Sequence, residues 1–83
     1  MLNAEVGHPK NVTGTATIKA VSGQLLGFYV NSTTAGTIVL SDGATAISGT
    51  ITPAIGFHRF PAAFQTSLVA TIANTINVTF FFN

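Results

Sequence analysis

The stretch QLLGFYVNSTTAGTIVLSDG, residues 24–43, decides the fold of this chain. Two of its segments, 24–30 and 36–41, alternate apolar residues with others, and this period predicts two β-strands. The apolar residues on one face of these strands are Leu26, Phe28, Val30, Ile38 and Leu40. We expect the segment NSTTA between the strands to be a loop. Asp42-Gly43 predicts a hairpin turn, because both residue types tolerate positive φ.

The second face of the first predicted strand is not polar. It carries Leu25, Gly27 and Tyr29. A strand that is apolar on both faces usually lies inside a sheet that is covered on both sides. We therefore expect the core or a subunit contact on this second face as well.

The rest of the chain predicts further short strands of the same kind. They recur every 8–12 residues and are bounded by Gly, Pro, Asn or Ser, which is typical of an antiparallel sandwich or barrel. The predicted strands outside the opening stretch are 12–21, 44–52, 57–60, 68–73 and 77–82. The fold prediction is an all-β antiparallel β-sandwich, jelly-roll-like, of seven or eight short strands. Residues 1–11 are predicted to form an N-terminal arm and residues 12–83 a single domain.

The chain is poor in charge. Only 6% of its 83 residues are charged, against about 25% in an average soluble domain, and its mean hydropathy is +0.54. A monomer with few surface charges tends to associate, and we therefore expect part of the surface to be buried in an oligomer or larger assembly. The alternative is a surface that neutral Thr side chains cover. A net charge of +1 excludes a broad nucleic-acid footprint. No apolar run reaches the ~20 residues of a membrane helix, and residues 1–10 do not read as a signal peptide.

The sequence offers little material for catalysis. The side chains that titrate usefully are Glu5, His8, Asp42 and His58, and Asp42 is accounted for by its turn. His58, Asp42 and a serine have no spacing that indicates a hydrolase triad. Two histidines without a supporting carboxylate cluster are weak evidence for a metal site, even at a symmetry axis. We expect no enzyme activity, no cofactor and no metal.

The contact candidates include aromatic residues and the segment FHRF, residues 57–60. Its His-Arg pair is interpreted either as a polar contact within an assembly or as an exposed pair on an edge strand. The candidate oligomer or partner contacts are Leu25, Tyr29, Phe57, His58, Arg59 and Phe81. Tyr29 and Phe57 are also the platform candidates if the domain binds carbohydrate. Three Asn-x-Ser/Thr sequons, at Asn11, Asn31 and Asn77, are expected by chance in a chain so rich in Thr.

Four segments together resemble a family of small virion structural proteins of tailed phages and prophages. They are GQLLGFYVNS (23–32), TIVLSDG (37–43), GTITPAIGFHRFP (49–61) and LVATIANTINVT (68–79). The matching positions are Gly23, Leu25, Gly27, Tyr29, Val30, Asn31, Ser32, Thr37, Ile38, Leu40, Asp42, Gly43, Gly49, Ile51, Thr52, Pro53, Ala54, Gly56, His58, Phe60, Pro61, Leu68, Ala70, Thr71, Ile72, Asn77, Val78 and Thr79. The first twenty-two residues lie outside the resemblance.

The resemblance implies a capsid or neck component and not an enzyme. We expect a decoration (cement) protein that is made in the host cytoplasm and binds the outer capsid surface, as a homotrimer that contacts the major capsid protein or another virion protein. A neck, tail or fibre-associated component is the alternative within the virion. A carbohydrate-binding or cell-surface-binding module is the alternative outside it.

Overall fold

A computed structural model describes residues 7–83 of the chain. These residues form one antiparallel sheet of six strands, with neighbours in the order β1-β6-β3-β4, while β2 also pairs with β6 and β5 with β3. The strands are β1 (His8–Val12), β2 (Ala16–Lys19), β3 (Gly23–Asp42), β4 (Thr45–Ala46), β5 (Gly56–Phe64) and β6 (Leu68–Phe82). The all-β, antiparallel prediction is therefore confirmed. No helix in the described part of the chain is long and apolar enough to cross a membrane.

The long strands β3 and β6 run antiparallel to each other and form the centre of the sheet. Their register extends from Leu25 opposite Phe82 to Asp42 opposite Leu68. The shorter strands flank this pair at its two ends. In the first half of the sheet, β1 and β5 flank residues 78–82 and 23–30. In the second half, β2 pairs with residues 68–70, and β4 and a single bridge from Ile51 pair with the far end of β3.

Strand β3 does not run straight. Twenty extended residues would span about 66 Å, whereas the longest dimension of the structure is 39 Å. The first residue of β3, Gly23, pairs with Phe64 of β5. Gln65, which follows Phe64 in the chain, donates its backbone N–H at 2.8 Å to the carboxylate of Asp42, the last residue of β3. The two ends of β3 therefore lie close together. One cluster of core residues draws on both halves of the sheet.

The bend lies where the β3–β6 ladder is irregular. Register shifts occur after Val30 and at Ala35, and both Ala35 and Asn74 have positive φ. The side-chain amide of Asn74 donates to the carbonyl oxygen of Ala35 at 2.8 Å, which ties the two strands together at this point. Extra residues in a ladder bend the strand and increase its twist.

The core is a single cluster of apolar side chains drawn from both halves. No polar or charged side chain of residues 7–83 is buried with it. Burying only apolar atoms avoids unpaired polar groups in the interior. The cluster consists of Val12, Ile18, Leu25, Phe28, Val30, Ile38, Leu40, Phe64, Leu68, Ala70, Ile76, Val78 and Phe80.

The sequence predicted too many strands. Residues 31–35 were predicted as a loop and continue β3, and residues 74–76, which separate two predicted strands, continue β6. Small and β-branched residues there keep the backbone extended, and bulges absorb the change of direction. Conversely, only two residues of the predicted strand 44–52 form β4, apart from the single Ile51 bridge. Asp42 ends β3, and the turn itself is Gly43-Ala44, with positive φ at Gly43.

Two more predicted boundaries differ from the structure. Strand β5 continues through Pro61, which sits on an edge strand where its missing N–H costs no ladder bond. Residues His8–Val12 pair with β6, so part of the segment predicted as an arm belongs to the sheet. Residues 1–6 of that segment lie outside the described residues.

Candidate functional site: the aromatic–amide face

The outer face of the first half of the sheet gathers aromatic and amide side chains. Side chains on a strand alternate between the two faces, and residues paired across strands share a face. Since Phe28, Val30, Val78 and Phe80 point into the core, their neighbours along the strands point outward. We call this surface the aromatic–amide face, and it consists of Asn11, Tyr29, Asn31, Phe57, Arg59, Asn77, Thr79 and Phe81.

The aromatic part of this face is centred on Phe57. Phe57 pairs with Tyr29 across β5 and β3, and its ring centroid lies 6.2 Å from that of Phe81. The Tyr29 and Phe57 side chains are 42% and 57% exposed. Three aromatic residues from three strands therefore form one patch that solvent can reach.

Gly27 gives the Phe57 ring its position. A Cβ atom at residue 27 would lie 2.9 Å from the ring atom Cζ of Phe57 and 2.5 Å from the backbone oxygen of His58. The tip of the ring therefore lies over the backbone of Gly27, in space that any side chain would occupy. Close approach of a neighbouring group is a standard reason for glycine within a strand.

The amide part of the face is a hydrogen-bonded ladder across β1, β6 and β3. The Nδ2 atoms of Asn11 and Asn31 both donate to Oδ1 of Asn77, at 2.7 and 3.1 Å. They also donate to Oγ1 of Thr79, at 3.0 and 3.2 Å. The ladder adjoins the aromatic patch directly, because Thr79 pairs with Tyr29.

The three ladder asparagines are the residues of the three sequons. Asn11 and Asn31 lie 66 and 46 positions from Asn77 along the chain, so their sequons alone did not predict that they meet. Only the strand order β1-β6-β3 brings them together. The recurring Asn-x-Ser/Thr pattern was the one available signal.

The outer face of the second half is built differently. We call it the threonine–valine face. Its residues lie opposite the buried Ile38, Leu40, Leu68 and Ala70 in the strand alternation. The threonine–valine face consists of Thr17, Thr37, Val39, Ser41, Val69, Thr71 and Ala73.

The six predicted contact residues fall into two groups. Tyr29, Phe57, Arg59 and Phe81 come together on the aromatic–amide face. Their role as contacts remains a prediction. The remaining two point to the core side of the sheet.

Leu25, predicted as a contact residue, does not lie on the surface. It is fully buried, with 0% of its surface exposed. The register shift between Leu25 and Gly27 places Leu25 on the core side, together with Phe28, where regular alternation predicted the opposite face.

His58 is half-buried at the margin of the core. Its ring centroid lies 5.3 Å from that of Phe28, and its Nε2 atom is 2.8 Å from the carbonyl oxygen of Ala54. That hydrogen bond ties the ring to the segment before β5. His58 therefore does not share a face with Arg59, its neighbour in sequence.

Asp42 does more than precede a turn. Its carboxylate accepts backbone N–H groups from Gln65 and Thr66 at 2.8 Å and from Ser67 at 3.3 Å. The N–H groups of Gln65 and Thr66 lower the pKa of the Asp42 carboxyl from its ordinary value of 3.8. Asp42 thus holds the connection between β5 and β6 against the end of β3.

The described residues bring together no group of three His, Asp, Glu or Cys side chains that could hold a metal ion. Comparison of the chain with protein-family models, with curated proteins and with solved structures found no match in any of the three.

Proposed function

We propose that this chain is a structural protein of a tailed-phage virion, most specifically a decoration protein that binds and stabilises the outer capsid surface. The observation that carries the proposal is the near absence of charge from both outer faces of the sheet. Arg59 is the one charged residue of the described chain on either face. A small domain with such a surface gains by burying it against other proteins.

We further propose that the folded sheet is a two-layer β-sandwich of the jelly-roll kind. The return of β3 upon itself and the single core between the halves support this description. Two layers leave two outward faces, so one face can bind the particle while the other faces solvent.

The edges of the sheet favour binding through a face over addition of further strands. Edge strands β1 and β5 contain Pro9 and Pro61, which cannot donate to a new strand. In the second half, β2 has four residues and ends in Lys19, and β4 has only two. Short edges that carry proline or lysine are the usual protection against edge-to-edge pairing.

The threonine–valine face is the proposed contact with the capsid. It carries only hydroxyl, valine and alanine side chains, so it can lie flat against a protein surface without desolvating a charge. From the resemblance to virion proteins we further propose that the chain forms a homotrimer. The trimer would lie at three-fold positions of the capsid lattice, in contact with the major capsid protein.

Particles that lack the protein provide the test. Capsids are prepared without this chain and mixed with the wild type, with Thr71→Arg, or with the matched control Asn31→Arg on the other face. Both positions are exposed, and Asn31→Arg gives up two hydrogen bonds of the side-chain amide, so melting temperatures verify that both variants are folded. We expect Thr71→Arg to lower capsid occupancy at least tenfold and Asn31→Arg to leave it unchanged.

The outcome can contradict the proposal in two ways. Absence of the protein from purified virions, or equal binding of both variants, would overturn the capsid contact. A copy number of a handful or some tens per virion, where a decoration protein has hundreds, would instead identify a neck, tail or fibre component. Light scattering after size exclusion tests the homotrimer, and a stable monomer in dilute buffer contradicts it.

A further inference from the structure

Hydrogen bonds hold the side chains of the amide ladder in place but leave some of its amide groups without a partner. Asn77 Oδ1 and Thr79 Oγ1 each accept two bonds from the ladder amides, Asn11 and Asn31. Among residues 7–83, the Nδ2 group of Asn77 has no hydrogen-bond partner, and neither have the Oδ1 atoms of Asn11 and Asn31. The face thus presents fixed amide donors and acceptors toward solvent.

The aromatic patch begins one strand away from the ladder. Across the sheet, Asn11, Thr79, Tyr29 and Phe57 form one row of paired residues. At ~4.8 Å between strands the row is about 14 Å long. A ligand lying along this row would meet amide groups at one end and aromatic rings at the other.

The aromatic–amide face has the dimensions of a short oligosaccharide. Residues 77–81 extend about 14 Å along β6, so the face covers roughly 200 Å² between backbone positions. This footprint matches a short oligosaccharide that lies along the row.

The chemistry of the face also favours a sugar. Aromatic rings carry a negative face that attracts the polarised C–H groups of a pyranose ring, and amides can both donate to and accept from hydroxyl groups. Arg59 is the one charged member of the aromatic–amide face. A ligand rich in charge would therefore find little to pair with.

We propose that the aromatic–amide face binds a neutral saccharide chain. One sugar ring packs on Tyr29 and Phe57, and the hydroxyl groups of the next ring hydrogen-bond to Asn11, Asn31 and Asn77. Because the ladder already fixes its side chains, binding loses little side-chain entropy. This site is separate from the proposed capsid contact and does not depend on it.

Tyr29 provides a direct readout of this binding. It is the only tyrosine, and the chain has no tryptophan, so the intrinsic fluorescence of the protein reports on this position alone. Purified wild-type protein is titrated with maltohexaose, cellohexaose, N-acetylchitohexaose and dextran. Dextran sulfate serves as the charged counterpart of dextran. We expect a saturable change of tyrosine emission with at least one neutral probe.

Variants on the two outer faces separate binding from folding. Phe57→Ala and Asn77→Ala should each weaken the saccharide affinity by about tenfold or more, as loss of a central contact does in other interfaces. The matched control Thr71→Ala lies on the threonine–valine face of the same strand as Asn77 and should keep wild-type affinity. Melting temperatures verify that each variant is folded.

Three results would overturn the saccharide site. They are no saturable response to any neutral probe, a response to dextran sulfate alone, and a loss of self-association or capsid binding in Phe57→Ala without any effect of sugar. The last would make the face a protein contact. Saccharide binding by free protein that does not bind capsids would instead refute the proposed function and leave the site standing.

Discussion

The two outer faces of the sheet are built on the same two strands but carry different side chains. In the second half, β3 and β6 present threonine, valine, serine and alanine outward. In the first half, the same strands present Tyr29, Asn31, Asn77, Thr79 and Phe81. Both halves keep the same alternation between the core side and the outer side.

The difference between the two sets of outer side chains indicates which of them the fold requires. The threonine–valine face demonstrates that small and β-branched residues suffice on the outside of these strands. Exposed aromatic rings and a three-strand amide ladder exceed that need. They therefore single out the first half as the place of the proposed saccharide site, and a matched variant at another position serves as the control for each substitution.

The largest effect is expected from the inner side of the first half. Phe80 is fully buried, and its ring centroid lies 5.6 Å from that of Phe28. Phe80→Ala should cost about 3–5 kcal/mol of unfolding free energy, because it leaves a cavity in the shared core. Phe81→Ala, one residue along on the outer face, should cost roughly 1 kcal/mol. Urea denaturation measures both, and equal losses would mean that Phe81 is structural.

A smaller effect is expected at Gly27, beneath the aromatic patch. The Cβ of Gly27→Ala would collide with the backbone oxygen of His58 and with the Phe57 ring, so β3 and β5 must separate. We expect a loss of about 1–3 kcal/mol, as for other overpacked sites. Gly49→Ala is the control, since nothing lies within 4 Å of its added Cβ, and it should change stability by less than about 0.5 kcal/mol. Chemical denaturation of the two variants compares them.

The alternation of apolar residues predicted the core of this fold well. Phe28, Val30, Ile38 and Leu40 are all buried as expected from their strand positions, whereas Leu26 of the same predicted face is only half-buried. Leu25 was misplaced because a bulge inverted the local alternation, and nothing in a single sequence marks where a ladder will slip. The same limitation divided β3 into two predicted strands.

The candidate site was predicted in part, for a similar reason. Tyr29 and Phe57 stood out as aromatic residues on faces where a core did not account for them, and the structure pairs them. The amide ladder was not predicted, because its members are joined only by strand order and register. A pattern of sequons indicates surface positions but carries no information about which strands become neighbours.

A loss of about 1 kcal/mol is expected from Asn77→Ala, which removes the shared acceptor of the ladder. Thr71→Ala, at a matching outer position of β6 in the second half, should change the unfolding free energy by less than about 0.5 kcal/mol. Thermal and urea denaturation of the two variants test the difference. Equal small effects would mean that the ladder adds nothing to stability, which would sharpen its assignment as a binding surface.

The smallest effect concerns Asp42, which joins the halves at the end of β3. Its pKa is lowered in the folded chain, so the ionised carboxylate stabilises the fold above the ordinary pKa of 3.8, and this contribution is lost as the pH falls through the lowered value. Asp42→Asn should therefore be less stable than the wild type at neutral pH, with the difference in denaturation midpoint shrinking below pH 3.8.

A matched variant tests whether the acid titration belongs to Asp42. The chain has only two acidic side chains, Asp42 and Glu5, so Glu5→Gln is the matched control. We expect Glu5→Gln to keep the wild-type dependence of the midpoint on pH and Asp42→Asn to flatten it. If Asp42→Asn followed the wild-type curve at every pH, the three backbone bonds at 2.8, 2.8 and 3.3 Å would not stabilise the fold. The closure of the two halves would then depend on the apolar core alone.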